Sequence, residues 1–129
     1  MSERPSVVAV VDDEDSMRLA LARVLRESSY VVTAYVSGEE FLAALQTSPP
    51  DCVVIDQQLP GLTGTEVQRA LRATDSQLPV IFLTAHDSPA VRAECLADGA
   101  FAYFTKPLRR SVLLAAVRDA ISRKSPPEP

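Results

Sequence analysis

The sequence predicts an α/β fold in which five parallel strands form one sheet and five helices cover its two faces. Short apolar, β-branched runs alternate with segments of helical periodicity along almost the whole chain. The third of these runs, 52–55, is apolar at every position, which is typical of a strand buried on both faces. The helical segments between the runs provide the crossover connections that parallel strands require. The pattern therefore favours a doubly wound sheet.

Length and composition narrow the class of protein. The 129 residues suit one domain that buries about two-thirds of its unfolded surface. The net charge of −4 argues against direct binding of nucleic acid by this domain. The sequence has no apolar run near the length of a membrane span and no signal-peptide core, so we expect a cytoplasmic location without membrane contact. Cys52 and Cys95 lack metal-ligand spacing and are expected to be buried, reduced thiols.

The first two βα units have recognisable start and stop signals. Positions 15–27 place apolar side chains at helical spacing, and Asp15 or Ser16 is expected to be the N-cap of that helix. Pro49 and Pro50 end the second helical segment because proline has no backbone N–H to donate. The predicted strands here are 7–11 and 31–35, and the predicted helices are 15–27 and 37–46.

The remaining three units are punctuated by glycine and proline. Pro60 and Gly61 predict a turn, and Gly99 suits the position just after a helix. The segment 125–129 is Pro-rich and cannot continue a helix, so we expect a domain over 1–124 followed by a tail or the start of a linker. The predicted strands are 52–55, 80–83 and 102–104, and the predicted helices are 65–73, 88–98 and 110–123.

Reactive side chains follow the strands at the points where the strands end. The first strand is followed by Asp12 and Asp13, and the third by Asp56. The fourth strand is followed by Thr84, and Lys106 comes shortly after the fifth. Ligands of an open parallel sheet bind beyond the carboxyl ends of its strands. We therefore expect three carboxylates, a hydroxyl and an ammonium group at one edge of the sheet.

This set of groups suits phosphoryl chemistry at a metal site. Neighbouring carboxylates repel one another, and Mg²⁺ relieves the repulsion while leaving positions for phosphate oxygens. Asp56 lies between a buried strand and a turn, where its carboxylate can act as a nucleophile and form an aspartyl phosphate. Thr84 and Lys106 can contact the phosphoryl oxygens. Each acid could instead be solvated or cap a helix, which is the simpler explanation for Asp15.

The same residues form the motifs of a known family. Over about residues 6–123 the chain resembles the receiver domains of bacterial two-component response regulators. Any one of the motifs is weak alone, but their order and spacing are specific. The matching elements are Val11-Asp12-Asp13, Asp56 with Leu59-Pro60-Gly61 and Gly64, Thr84-Ala85, and Tyr103-Phe104-Thr105-Lys106-Pro107.

The resemblance implies a topology, a modification and a metal. The strand order would be the flavodoxin-like 2-1-3-4-5, which makes the acid-bearing first and third strands neighbours. Asp56 would accept a phosphoryl group from a sensor histidine kinase or a phosphotransfer protein. Mg²⁺ would be held by Asp56 and Asp13 directly, by Asp12 largely through water, and by the backbone carbonyl of Gln58.

The resemblance also implies a switch. Thr84 would act as the switch hydroxyl and Lys106 as the lysine that contacts the phosphate. The Lys106–Pro107 peptide would be cis. Tyr103 would move into the space that Thr84 leaves and so alter the face formed by the fourth helix, fifth strand and fifth helix. Such a domain assists its own phosphorylation and dephosphorylation without being a classical enzyme. Its output would be a protein contact, a homodimer that forms on phosphorylation, or an attached domain such as one that binds DNA.

The residues also leave alternatives open. Tyr103 can equally be ordinary packing, and His86 either a plain loop residue or, with Gln58, a determinant of the phosphate's lifetime. A haloacid-dehalogenase-type phosphatase would place a second aspartate where this chain has Gln58. A flavodoxin-like electron carrier would need a Ser/Thr/Gly-rich loop where residues 12–15 are all acidic. The complete set of reactive residues disfavours a phosphate-independent pseudo-receiver.

Overall fold

The computed structural model describes residues 4–74 and 76–122, in which strands and helices alternate in sequence. Every predicted strand and helix is present, and the observed bounds differ from the predicted ones by no more than about two residues. The strands are β1 (Val7–Val11), β2 (Val31–Tyr35), β3 (Cys52–Ile55), β4 (Val80–Thr84) and β5 (Ala102–Thr105). The helices are α1 (Asp15–Glu27), α2 (Gly38–Ala44), α3 (Gly64–Ala73), α4 (Pro89–Ala97) and α5 (Arg110–Ser122).

The strands form one sheet in the order β2-β1-β3-β4-β5, and every neighbouring pair is parallel. The predicted doubly wound fold is therefore confirmed, with β2 at an edge. The register sets Val11, the last residue of β1, beside Ile55, the last residue of β3. The residues that follow these two strands consequently leave the sheet side by side.

The central strands β1, β3 and β4 are almost entirely buried, whereas the outer strands β2 and β5 are partly exposed. Along β1, Val8 and Val10 pack in one hydrophobic cluster with residues of α1 and α5. Ala9 and Val11 pack on the opposite face in a second cluster with residues of α2, α3 and α4. Alternate side chains of a strand point to opposite faces, so one apolar run supplies both clusters.

Two local predictions at helix ends had different outcomes. Gly99 has a φ of 96° just after α4, in the left-handed region that the predicted position requires. The N-cap prediction for α1 was wrong, because Glu14 occupies that position and its side chain makes no capping hydrogen bond. The nearby acid Asp12 instead accepts the backbone N–H of Glu14 at 2.9 Å. This bond orders residues 12–14 between β1 and α1, which we call the acidic loop.

The remaining predictions on the fold concern the thiols and the chain ends. Cys52 and Cys95 are buried and do not form a disulfide, as predicted, and burial raises the pKa of the Cys95 thiol to about 11. Among the described residues, no helix combines the length and the apolar composition needed to span a membrane. The predicted tail 125–129 and the last predicted position of α5, residue 123, lie outside the described residues.

Candidate functional site

Three carboxylates meet beyond the ends of β1 and β3. One oxygen from each of Asp12, Asp13 and Asp56 lies within 4.8 Å of the others. Asp12 and Asp56 are almost fully buried, whereas Asp13 is exposed. The structure thus brings together the acids that the sequence predicted at this edge. Their proximity follows from the pairing of β1 with β3, because each acid directly follows its strand or is one residue further on.

Asp12 is held in place by its backbone as well as by its side chain. Its N–H donates to the carbonyl of Tyr35 at 3.2 Å, which continues the pairing of β1 with β2. The guanidinium of Arg18 donates to the Asp12 carbonyl at 2.9 Å and also to the Asp15 carboxylate at 2.6 Å. Arg18 therefore fixes the acidic loop from the first turns of α1. Its helical spacing from Asp15 is the signal in the sequence that could have identified it.

Asp56 is held by two different donors. Its Oδ1 accepts the backbone N–H of Gln58 at 3.1 Å, and its Oδ2 accepts a hydrogen bond from Lys106 Nζ at 3.2 Å. Its own backbone N–H donates to the Val11 carbonyl at 3.1 Å. These bonds orient the carboxylate of Asp56, whose side chain is 9% exposed.

Lys106 joins two of the three carboxylates. Its Nζ lies 3.0 Å from Asp12 Oδ2 and 3.2 Å from Asp56 Oδ2, and the Lys106–Pro107 peptide is cis, as expected. Burial by itself lowers the pKa of the ammonium group, but the hydrogen bonds and charges of Asp12 and Asp56 outweigh it and raise the pKa above its ordinary value. The ammonium group is therefore charged at neutral pH.

The donor set suits a hard divalent cation. With the three carboxylates ionised, Lys106 leaves the cluster with an excess of two negative charges. Oxygen donors at this spacing and with this excess charge match the preferences of Mg²⁺. Asp13, being exposed, offers its carboxylate from the solvent side.

Thr84 ends β4 in the interior of the protein, with no exposed surface. Its Oγ1 accepts the backbone N–H of His86 at 3.4 Å, which leaves the hydroxyl hydrogen available for donation. The Thr84 carbonyl accepts the backbone N–H of Lys106 at 2.8 Å, so the ends of β4 and β5 are joined. Gln58 and His86, which follow Asp56 and Thr84 by two residues, are both exposed.

Tyr103 occupies a buried position on β5, 4% exposed. Its ring lies 6.2 Å from that of Phe82, and the guanidinium of Arg92 on α4 lies 5.5 Å from its centroid. Burial raises the pKa of its hydroxyl. The inward movement predicted for Tyr103 would therefore have to start from a conformation other than this one. Its role as a switch stays a prediction.

One set of polar residues next to the site was not found from the sequence. Gln57 makes reciprocal side-chain hydrogen bonds to Thr65 at the start of α3. Gly64 permits this approach, because a Cβ there would lie 2.7 Å from the Asp56 carbonyl oxygen. No periodic pattern links residues 57 and 65, so only the folded loop shows the pair.

The sequence matches the response regulator receiver domain family over residues 8–118, and the chain belongs to that family. It is 40% identical over 124 residues to response regulator MprA of Mycobacterium sp. strain KMS. It is 33% identical over 121 residues to response regulator protein TodT of Pseudomonas putida strain F1. These alignments cover 96% and 94% of this chain but 54% and 53% of the relatives. The chain thus spans about half the length of the curated relatives it matches.

A solved structure shows the same fold. The beryllofluoride-activated receiver domain of DrrB superposes with a TM-score of 0.83 at 29% sequence identity. The superposition covers 93% of this chain and 100% of that chain. The family is therefore supported by the sequence and by the fold independently, and it places this chain among the signalling domains of two-component systems.

Replacing Lys106 by methionine should destabilise the chain in the presence of a chelator, because two buried carboxylates lose the cation they share. We expect the free energy of unfolding, measured with urea, to fall by up to about 3 kcal/mol. Arg110→Met is the matched control, since it removes an exposed ion pair with Glu27. Equal losses in the two variants would show that Lys106 does not stabilise the acidic cluster.

Proposed function

We propose that this chain is a phosphorylation-controlled switch that accepts a phosphoryl group on Asp56 in a Mg²⁺-dependent reaction. The observation that carries the proposal is the cluster of Asp12, Asp13 and Asp56, with Lys106 bridging two of its members. The cluster combines a nucleophile, a potential cation site and a fixed positive charge at one edge of the sheet. These are the parts that phosphoryl transfer to a carboxylate requires.

In the proposed reaction, a carboxylate oxygen of Asp56 attacks the phosphorus of a phosphohistidine on a sensor kinase or a phosphotransfer protein. The P–N bond breaks, its electron pair goes to the imidazole nitrogen, and that nitrogen takes a proton from solvent. The product is a mixed anhydride on Asp56. With acetyl phosphate as donor, the P–O bond breaks and acetate leaves instead.

The residues around Asp56 stabilise the transferring group. Lys106 is already hydrogen-bonded to Asp56 Oδ2, so its ammonium group lies where negative charge accumulates on the phosphoryl oxygens. Asp13, Asp56, the Gln58 carbonyl and, through water, Asp12 would hold Mg²⁺. When bound, Mg²⁺ would offset the repulsion between these carboxylates and the incoming phosphate.

The switch would be carried by Thr84. Its hydroxyl hydrogen can donate to a phosphoryl oxygen while its oxygen accepts from the His86 N–H, so a shift of Thr84 would pull on the loop before α4. Tyr103 and Arg92 connect β5 with α4, and the face of α4, β5 and α5 would change as Thr84 moves. The new hydrogen bonds at the phosphoryl group provide the differential contact that such a population shift needs.

The family supports a proposal for the partners and the output. We infer that a histidine kinase or a phosphotransfer protein is the donor. Because the chain spans about half of its relatives, we infer that it is the receiver part of a longer regulator. The likeness to a beryllofluoride-activated receiver supports phosphoryl acceptance, since beryllofluoride mimics a phosphoryl group. A phosphatase with an aspartyl nucleophile would have an acid two residues after that nucleophile, where this chain has Gln58. The glutamine therefore argues against a phosphatase.

Incubation with acetyl phosphate and Mg²⁺ should add one phosphoryl group, detected by intact mass. Asp56→Asn should abolish the addition, because an amide is not a nucleophile towards phosphorus. Asp119→Asn, an exposed carboxylate on α5, is the control and should react like the wild type. Undiminished phosphorylation of Asp56→Asn would place the acceptor elsewhere and refute the assignment.

Gln58 and His86 should set how long the phosphorylated state lasts. Gln58 and His86 are exposed and lie two residues after Asp56 and Thr84, so we expect both to flank the water that attacks the phosphorus opposite the Asp56 oxygen. Gln58→Ala should slow hydrolysis because the amide can orient that water, and His86→Ala should change the rate by altering access. Effects of about tenfold are expected for positioning of this kind. Decay followed by mass after donor removal checks this, and rates within twofold for all three proteins would contradict it.

A further inference from the structure

Gln57, the residue after the proposed acceptor, is fastened to the start of α3. Its side-chain oxygen accepts the backbone N–H of Thr65 at 2.8 Å, and its side-chain nitrogen donates to the Thr65 hydroxyl at 3.2 Å. Its backbone carbonyl accepts the N–H of Gly64 at 3.0 Å. These bonds close the loop formed by residues 57–63 at its base. We call residues 57–63 the acceptor loop.

The same bonds complete the first turn of α3. The first N–H groups of a helix have no partner within the helix. Here the N–H groups of Gly64 and Thr65 both donate to Gln57, and that of Glu66 donates to Thr63 Oγ1 at 3.3 Å. Thr65 is only 5% exposed, so its polar groups depend on protein partners. Gln57 is therefore a cap that reaches the helix from across the acceptor loop.

One peptide group connects this cap to the Asp56 carboxylate. The carbonyl of Gln57 and the N–H of Gln58 belong to the same peptide unit, which is planar and rigid. Gly64 holds the carbonyl end of that unit, and Asp56 Oδ1 accepts from the N–H end at 3.1 Å. A tilt of the peptide plane would consequently turn the donor that orients Asp56.

We propose that the Gln57–Thr65 pair is a positioning clamp that sets the orientation of the Asp56 carboxylate. The inference rests on the proposed function, because it assigns this carboxylate to the metal site. The side chain of Gln57 is hydrogen-bonded to Thr65 and not to the acidic cluster. It acts through the peptide plane, and the clamp therefore controls Mg²⁺ affinity as well as the stability of α3.

The simpler hypothesis is that Gln57 only caps α3. Two substitutions of matched shape distinguish this hypothesis from the clamp. Gln57→Met removes both side-chain bonds, and Thr65→Val removes the hydroxyl while keeping its volume. Thr65→Ser retains the hydroxyl and should restore wild-type behaviour. Glu66→Ala is the structural control, since it removes another cap of α3, the bond to the Thr63 N–H at 2.9 Å, without contacting residue 57.

The readout is a Mg²⁺ titration of the full chain followed by amide NMR, alongside urea unfolding of each variant. In Gln57→Met the Mg²⁺ dissociation constant should rise about tenfold, as expected for loss of a group that orients metal ligands. Thr65→Val should give a smaller rise, and Thr65→Ser and Glu66→Ala should stay within twofold of the wild type. If Gln57→Met does not fold, the comparison of Thr65→Val with Thr65→Ser decides the question.

A second measurement keeps this inference separate from the proposed function. Hydrogen exchange of the Gln58 amide in metal-free protein reports its bond to Asp56, and in Gln57→Met the exchange should be about tenfold faster. Failure of the wild type to bind Mg²⁺ would overturn the proposed function, while faster exchange would still support the clamp. The inference would be overturned if Gln57→Met and Thr65→Val both kept the wild-type exchange of the Gln58 amide and the wild-type Mg²⁺ affinity. If they were also destabilised like Glu66→Ala, Gln57 would be only a cap of α3.

Discussion

The ion pairs of Lys106 with Asp12 and Asp56 are the interaction on which the arrangement of the site depends. Two carboxylates with little exposure cannot remain charged side by side without a compensating cation, and the lysine supplies it. The compensation is incomplete, because Asp13 adds a third negative charge to the cluster. The site thus keeps an affinity for further positive charge. That excess is the physical reason why we propose a divalent cation at this site.

The sheet supplies the geometry for these charges. Because β1 and β3 are neighbours in register, Asp12 and Asp56 lie side by side beyond the strand ends. Lys106 follows β5, which is separated from β3 by β4. The two faces of the sheet pack in two hydrophobic clusters, which limits how far the central strands can move. A few directional hydrogen bonds then orient the side chains. Among them are the Gln58 N–H on Asp56 and the Arg18 guanidinium on the Asp12 carbonyl.

Most of the fold and the grouping of the acids could be predicted, because both follow from patterns local in sequence. Apolar runs mark strands buried on both faces, and a residue directly after a strand is placed by the strand itself. The N-cap of α1 was mispredicted because Asp12, which lies before the helix, takes over a backbone donor in the loop. The Gln57–Thr65 pair and the contact of Arg92 with Tyr103 join residues whose separation follows no structural period. Only the folded chain brings such residues together.

In the proposed function, Mg²⁺ offsets the excess negative charge of the acidic cluster, and this allows Asp56 to carry the negatively charged phosphoryl group. A crystal structure of the chain with Mg²⁺ and beryllofluoride tests this most directly. We expect beryllium bonded to a carboxylate oxygen of Asp56, Mg²⁺ in contact with Asp13 and Asp56, and Lys106 Nζ moved from Asp56 Oδ2 to a fluoride. Electron density that shows Lys106 still bridging Asp12 and Asp56, with no beryllofluoride on Asp56, would contradict it.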